Sequence, residues 1–197
     1  MSNLSEALES GEFVVTGEIG PPKGVDLEGC LEDAEHLRDR VAAINVTDIQ
    51  SAVMRVGSLA TCRLLVERDL EPVFQMVCRD RNRLALQSDL LSAHVLGIEN
   101  VLCLTGDHNV LGDHPDSKPV FDLEAVGLLQ AATGLMDGKD MAGEELKGSP
   151  KFFLGAVVTP GADPVEPQIM RMEKKIEAGA RFFQTQAIYD TDRFAEF

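Results

Sequence analysis

Positive charge is in short supply in this chain. Its 197 residues carry 18 Lys+Arg against 33 Asp+Glu, a net charge of −15 with His neutral. Polyanion binding rests on Lys and Arg displacing counterions, so nucleic-acid and membrane-surface roles are excluded. Cysteine is scarce as well. Cys30, Cys62, Cys78 and Cys103 form no C-x-x-C pair and are read as reduced cytosolic thiols. The opening Met-Ser-Asn-Leu-Ser-Glu-Ala-Leu-Glu has neither a basic segment nor an apolar stretch, and no run approaches the ~20 apolar residues of a membrane span. The cytoplasm is therefore the expected location. Nucleotide-loop signatures are missing too. Gly17, Gly20 and Gly24 match neither the dinucleotide fingerprint nor a P-loop, and Pro21-Pro22 removes backbone donors that such loops use.

What is present is an α/β pattern. Hydrophobic residues make up 44% of the chain and charged residues 26%, enough for a substantial core. Six β-rich runs, 13–19, 44–49, 73–77, 101–104, 152–158 and 182–187, start about 31, 29, 28, 51 and 30 residues apart, close to the ~30 of a strand-helix-strand unit. Between them lie apolar positions at helical spacing. Leu27, Leu31, Ala34, Leu37 and Val41 mark one helix, and Val165, Ile169, Met172 and Ile176 another. Residues 81–96, 122–135 and 58–68 read as three more, with a short capped helix at 3–9. Two connections, 105–121 and 136–151, exceed simple turns. The first is expected near the chemistry and the second as a solvated excursion.

Six β/α units fit either an open doubly wound sheet or part of a (β/α)8 TIM barrel, which usually needs about 250 residues. The expectation is a single catalytic barrel domain over 1–197, truncated after the sixth strand with its last two β/α units missing. Exposed edges at both ends of such a sheet favour a homo-oligomer or a subunit of a complex.

Ligands of parallel α/β folds gather at the carboxyl ends of the strands. There this sequence places Glu18, Thr47 with Asp48, Gln75 with Arg79, Asp107, Thr159 with Asp163, and Gln186. Polar residues recur where a core would want apolar ones. The segment 106–116 holds two His and three Asp but lacks ligand spacing, and is read as a polar loop with no metal. Cys78 and Cys103, at strand ends, are read as buried structural thiols.

Four ordered motifs carry a family resemblance. Gly17-Glu18-Ile19-Gly20-Pro21-Pro22 resembles the first-strand Glu-x-x-Pro-Pro signature of the methylenetetrahydrofolate reductase family. Residues 78–89, followed by Leu102-Cys103-Leu104-Thr105-Gly106-Asp107, are similar to its third helix and fourth-strand Gly-Asp. Lys174-Lys175-Ile176-Glu177-Ala178-Gly179-Ala180 and Gln184-Thr185-Gln186 resemble its basic helix and sixth-strand Thr-Gln. The resemblance spans residues 12–190. It implies a flavin barrel, with FAD ahead of FMN, that reduces 5,10-methylenetetrahydrofolate to 5-methyltetrahydrofolate. NAD(P)H or an electron-donor protein would supply the electrons.

Carried over by position, Glu18 matches the general acid and Asp107 the acidic residue near flavin and pterin. Gln186 matches a pterin-contacting amide. Thr47, Gln75, Thr105, Thr159 and Asp163 fall at flavin-pocket positions, and Lys175 near the flavin diphosphate. Opening the methylene bridge requires protonating a folate nitrogen, which suits a carboxylic acid in a dry site; the resulting cation suits a nearby carboxylate. The sequence departs from familiar bacterial members at Thr105, where they have Arg, at Thr159 and Asp163, where they have Tyr and His, and at Gln75, which replaces His. The stretches at 78–82 and 105–108 look closer to members from one-carbon fixation pathways, whose electron donor is a partner protein. Two rivals remain: a pterin-dependent methyltransferase on the same barrel, and a truncated non-catalytic flavin- or folate-binding subunit.

Overall fold

A computed structural model describes residues 1–197. Its six strands are β1 (Thr16–Ile19), β2 (Ala43–Val46), β3 (Pro72–Val77), β4 (Asn100–Leu104), β5 (Phe153–Val157) and β6 (Phe182–Gln184). They form one sheet in the order β1-β2-β3-β4-β5-β6, every neighbouring pair parallel. A doubly wound sheet reverses its strand order at a switch point. Here the order never reverses, and the sheet curls until the Gln184 amide on β6 donates to Asn45 Oδ1 on β2 at 2.7 Å. The architecture is six units of a (β/α)8 barrel, as expected, and the open-sheet alternative falls.

The helices are α1 (Asn3–Glu9), α2 (Glu28–His36), α3 (Ser58–Val66), α4 (Arg83–Val95), α5 (Ala125–Met136), α6 (Glu166–Glu177) and α7 (Thr191–Glu196). Strand alternation divides the apolar residues into two cores. Ile44, Val46, Phe74, Met76, Val101 and Cys103 face outward and pack under the helices with Leu65, Leu86, Leu90 and Leu128. Ala43, Val73, Leu102 and Phe182 face the barrel interior and meet Leu4 of α1. β2 and β3 are buried along their whole length, as parallel strands covered on both faces must be. Phe153 and Phe182 stack with centroids 5.1 Å apart. Their fit requires Gly155, where a Cβ would sit 2.2 Å from the Phe182 ring.

α1 closes the amino-terminal end of the barrel. Ser2 caps the helix and donates to Asn100 Oδ1 at 2.6 Å, while the Glu71 carboxylate accepts from the backbone of Asn3 and Leu4 and from the Asn100 amide. That plug leaves the carboxyl end open for ligands.

Expectations need correction at both edges of the sheet and in α2, which ends at His36, short of Val41. β1 starts at Thr16 rather than 13, and Phe13 is 95% exposed, because an edge strand pairs only as far as its one neighbour reaches. β6 stops at Gln184, so Gln186 lies in a loop. The 136–151 connection is exposed over most of its length, as expected, and is pinned by a Lys139–Glu145 bridge and by Leu146 resting on the outer core.

Candidate active site

The carboxyl ends of the strands surround a cavity of about 440 Å³. Glu18, Thr47, Gln75, Thr105, Asp107, Thr159, Lys175 and Gln186 all line it; of the residues expected in the site, only Asp163 stands outside. Asp163 is exposed in the loop before α6, where its side chain needs no partner other than water. Thr159 and Gln186 also border a second, adjoining cavity that includes Tyr189 and Phe194.

Glu18, next to last in β1, is exposed, its Oε2 accepting from the Gln75 amide at 3.4 Å. Among residues 1–197 β2 is the only strand paired with β1, and Glu18 is open to water on the other side. Thr47, following β2, is 3% exposed, and its hydroxyl has no hydrogen-bond partner. A buried polar atom without a partner is costly, and one at a cavity wall is a candidate ligand contact. Thr105 also faces the cavity, but its hydroxyl accepts from the Ala125 N–H at 3.2 Å and so caps α5. Asp107 is exposed and follows Gly106, whose φ of +92 turns the chain toward the mouth.

Beneath this polar rim lies a fixed charge network. Asp48, its side chain fully buried, pairs with Arg81 through two bonds of 2.6 and 3.2 Å and accepts the Val77 N–H at 3.0 Å. Arg81 also reaches Asp89 at 3.0 Å. A buried carboxylate this well satisfied is held in one geometry.

α6 supplies the cations. Lys175 Nζ donates to the Val157 carbonyl at 2.5 Å, and Arg171, one turn earlier on the same face, lines the same cavity. Burial pushes the Lys175 ammonium below lysine's ordinary value; Glu124 opposes this and Arg171 adds to it. Two cations on one wall make that side of the cavity suited to an anion. Arg171 was not among the expected residues, although its position four residues before Lys175 was a readable signal. Lys174 instead borders a groove between α5 and α6.

The cysteines are free. Burial, with the Glu124 charge adding to it and Arg81 opposing, pushes the Cys78 thiol up to about 12. Burial likewise raises Cys62 and Cys103. Protonated thiols are poor nucleophiles, which agrees with the structural reading. In the 106–116 loop, Asp113 is engaged by Lys23, His114 and the Met54 N–H, and His108 stacks on Phe121.

Residues 3–197 match the profile of the family described as methylenetetrahydrofolate reductase. The chain belongs to the methylenetetrahydrofolate reductase family. It is 26% identical to a probable methylenetetrahydrofolate reductase (NADH) of Oryza sativa subsp. japonica and 24% identical to methylenetetrahydrofolate reductase (NADH) 1 of Arabidopsis thaliana. Both alignments cover 100% of this chain and 34% of the relative, so the chain spans about a third of those proteins. Among solved structures it resembles an uncharacterised Clostridium thermocellum protein that binds two copies of 5-methyl-5,6,7,8-tetrahydrofolic acid. The TM-score is 0.64 at 16% identity, over 98% of this chain and 61% of that one. It also resembles 2,3-dimethylmalate lyase of the PEP mutase/isocitrate lyase superfamily, with TM-score 0.62 at 12% identity, over 100% of this chain and 68% of that one. At these identities the two structures establish the barrel; membership of the methylenetetrahydrofolate reductase family rests on the sequence match.

Proposed function

We propose that the chain forms most of the catalytic barrel of a flavin-dependent reductase that converts 5,10-methylenetetrahydrofolate to 5-methyltetrahydrofolate. The observation that carries the reading is the convergence of polar side chains from all six strand ends on one cavity, in a chain of this family. A flavin fits the donors present. Thr47 offers an unsatisfied hydroxyl, Gln75 an amide, and Lys175 with Arg171 a cationic wall suited to a diphosphate. FAD is favoured over FMN because a diphosphate uses both cations. When bound, the flavin supplies hydride to the folate methylene carbon.

The chain's own groups do the rest. Glu18 gives a proton to the folate nitrogen that leaves the methylene bridge. A pterin seated over β1 excludes water from Glu18, supplying the dry site expected for a proton donor. Asp107 faces the carbon where positive charge develops and stabilises it. Gln186, on its loop beyond β6, contacts the pterin, and Thr105 and Thr159 complete the walls. The electrons come from NAD(P)H or an electron-donor protein. The Clostridium thermocellum protein's affinity for methyltetrahydrofolate supports a folate ligand on this barrel.

The test uses full-length protein. A visible flavin spectrum is expected, and its absence after incubation with FAD and FMN favours the pterin-dependent methyltransferase instead. Glu18→Gln should leave flavin reduction intact and slow reoxidation by methylenetetrahydrofolate by about 100-fold, within the range general acids supply. Equal slowing of both half-reactions removes Glu18 from the proton-donor role.

A further inference from the structure

Arg79 is 1% exposed and is the bulkiest side chain sealed inside the protein. It follows β3, and its planar fork of donors is shared among three loops. Nε and Nη2 hold the neighbouring Asp80 carboxylate, with a shortest contact of 2.7 Å. Nη2 also donates to the Ile49 carbonyl at 3.2 Å, and Nη1 to the Asp107 carbonyl at 3.1 Å. Its own carbonyl accepts from the Val120 N–H at 2.7 Å, at the far end of the loop that Asp107 begins. One residue thus joins the loops after β2, β3 and β4.

The backbone is unusual at one tethered carbonyl and tightly packed beside the other. Ile49 has φ 45 and ψ 50, and Ser51 and Ala52 also have positive φ. A β-branched residue in the left-handed region is an outlier that persists only where its surroundings over-determine it. On the other side, a Cβ at Gly106 would sit 3.1 Å from Val77 Cβ and 3.3 Å from Arg79 Cβ, so the Asp107 turn lies tight against the arginine. Ile49, Gln50, Ser51 and Asp107 all face the main cavity.

We propose that Arg79 is a positioning residue: it clamps the left-handed Ile49–Ala52 segment and the Asp107 turn at a fixed separation, so that the two present one rigid wall to the ligands. The inference rests on the reductase reading for its catalytic consequence, not for the clamp itself. A lysine cannot reproduce it, because one ammonium does not span two carbonyls and a carboxylate in a planar fork.

Hydrogen exchange on full-length Arg79→Lys tests the clamp without reference to activity. Exchange at residues 47–53 and 105–109 should rise together by about tenfold, the worth of a charge-assisted hydrogen bond, while β3 stays protected. Loosening of one loop alone, or of neither, overturns the proposal. Should Arg79→Lys fold poorly, native-state exchange of the unmodified protein in rising denaturant serves instead. There 47–53 and 105–109 should open in one step, and separate openings overturn the clamp. In the folate half-reaction, Arg79→Lys should lower the maximal reoxidation rate by about 100-fold, as misplacement near 1 Å does, and leave the apparent folate affinity within about threefold. A rate like that of the unmodified protein overturns the catalytic part. If the unmodified protein itself fails to react with methylenetetrahydrofolate, the reductase reading falls and the exchange result still decides the clamp.

Discussion

α5 and α6 are neighbours of equal length, twelve residues each, and they differ in almost everything else. α5 buries Ala125, Leu128, Leu129, Ala131, Ala132 and Leu135, whereas α6 buries none of its residues. Both have an apolar stripe, and α6's runs through Ile169, Met172 and Ile176. Neighbours make the difference. α5 packs between α4 and α6 and over β4, whereas the main contact of α6 is with α5. A barrel helix needs support on both sides, because its apolar stripe is wider than one groove. The cations proposed to hold the flavin diphosphate thus ride on a helix that buries none of its residues, and the charge network of Asp48 and Arg81 sits beside β2 and β3, which are buried throughout.

The largest expected effect sharpens that contrast directly. Leu128→Ala in α5 empties a fully buried site and should lower stability by about 3 kcal/mol, within the range for such truncations. Ile176→Ala in α6, at a residue already 50% exposed, should cost less than about 1 kcal/mol. Urea titration of both variants measures the two. Equal losses would mean that α6 is packed in solution against something that buries its stripe.

The same contrast explains which parts of the fold were legible beforehand. β3 to β5 were placed within a residue and β2 within three, because strands buried on both faces read as continuous apolar runs. At the two edges the runs were extended too far: Phe13 and Ala187 suit a strand by type, but no partner strand reaches them. The α6 stripe was legible as a pattern, and its exposure was not, since burial depends on a neighbour. In the site, strand-end polarity and the motifs located eight residues that the structure gathers around one cavity. The left-handed backbone at Ile49 left no trace in residue type. Arg79 was visible only as a polar residue at a strand end, because its bonds run to two loops that are distant in sequence.

A smaller effect belongs to the cation wall. Lys175→Met removes an ammonium that already sits below its ordinary value through burial, so the free protein should lose no stability. Binding of a diphosphate-bearing flavin should weaken by about tenfold, the worth of one charge-assisted contact. Flavin without a phosphate should bind both forms alike in a fluorescence titration. Parallel weakening of the two ligands would show that Lys175 shapes the cavity and does not read the diphosphate.

The smallest effect is kinetic and compares the edge of the sheet with its middle. Cys30 lies half-buried on α2, beside the edge strand β1, whereas Cys62, Cys78 and Cys103 are buried. Thiolates are the reactive form, and burial raises all four thiols, with Asp33 adding to the effect at Cys30. With a thiol reagent near pH 8, one cysteine, Cys30, should react in the native protein and four in urea. The sign of the pH dependence follows from Cys78, at about 12 when folded against an ordinary value of 9.0. The folded state keeps the proton that the unfolded chain releases, so the thiol's contribution to stability is complete below pH 9 and is lost as pH rises toward 12. Denaturation midpoints that decline across that window, and decline less in Cys78→Ala, are the expected result. Fast native labelling of Cys62 or Cys103 would show instead that the middle of the sheet opens as readily as its edge.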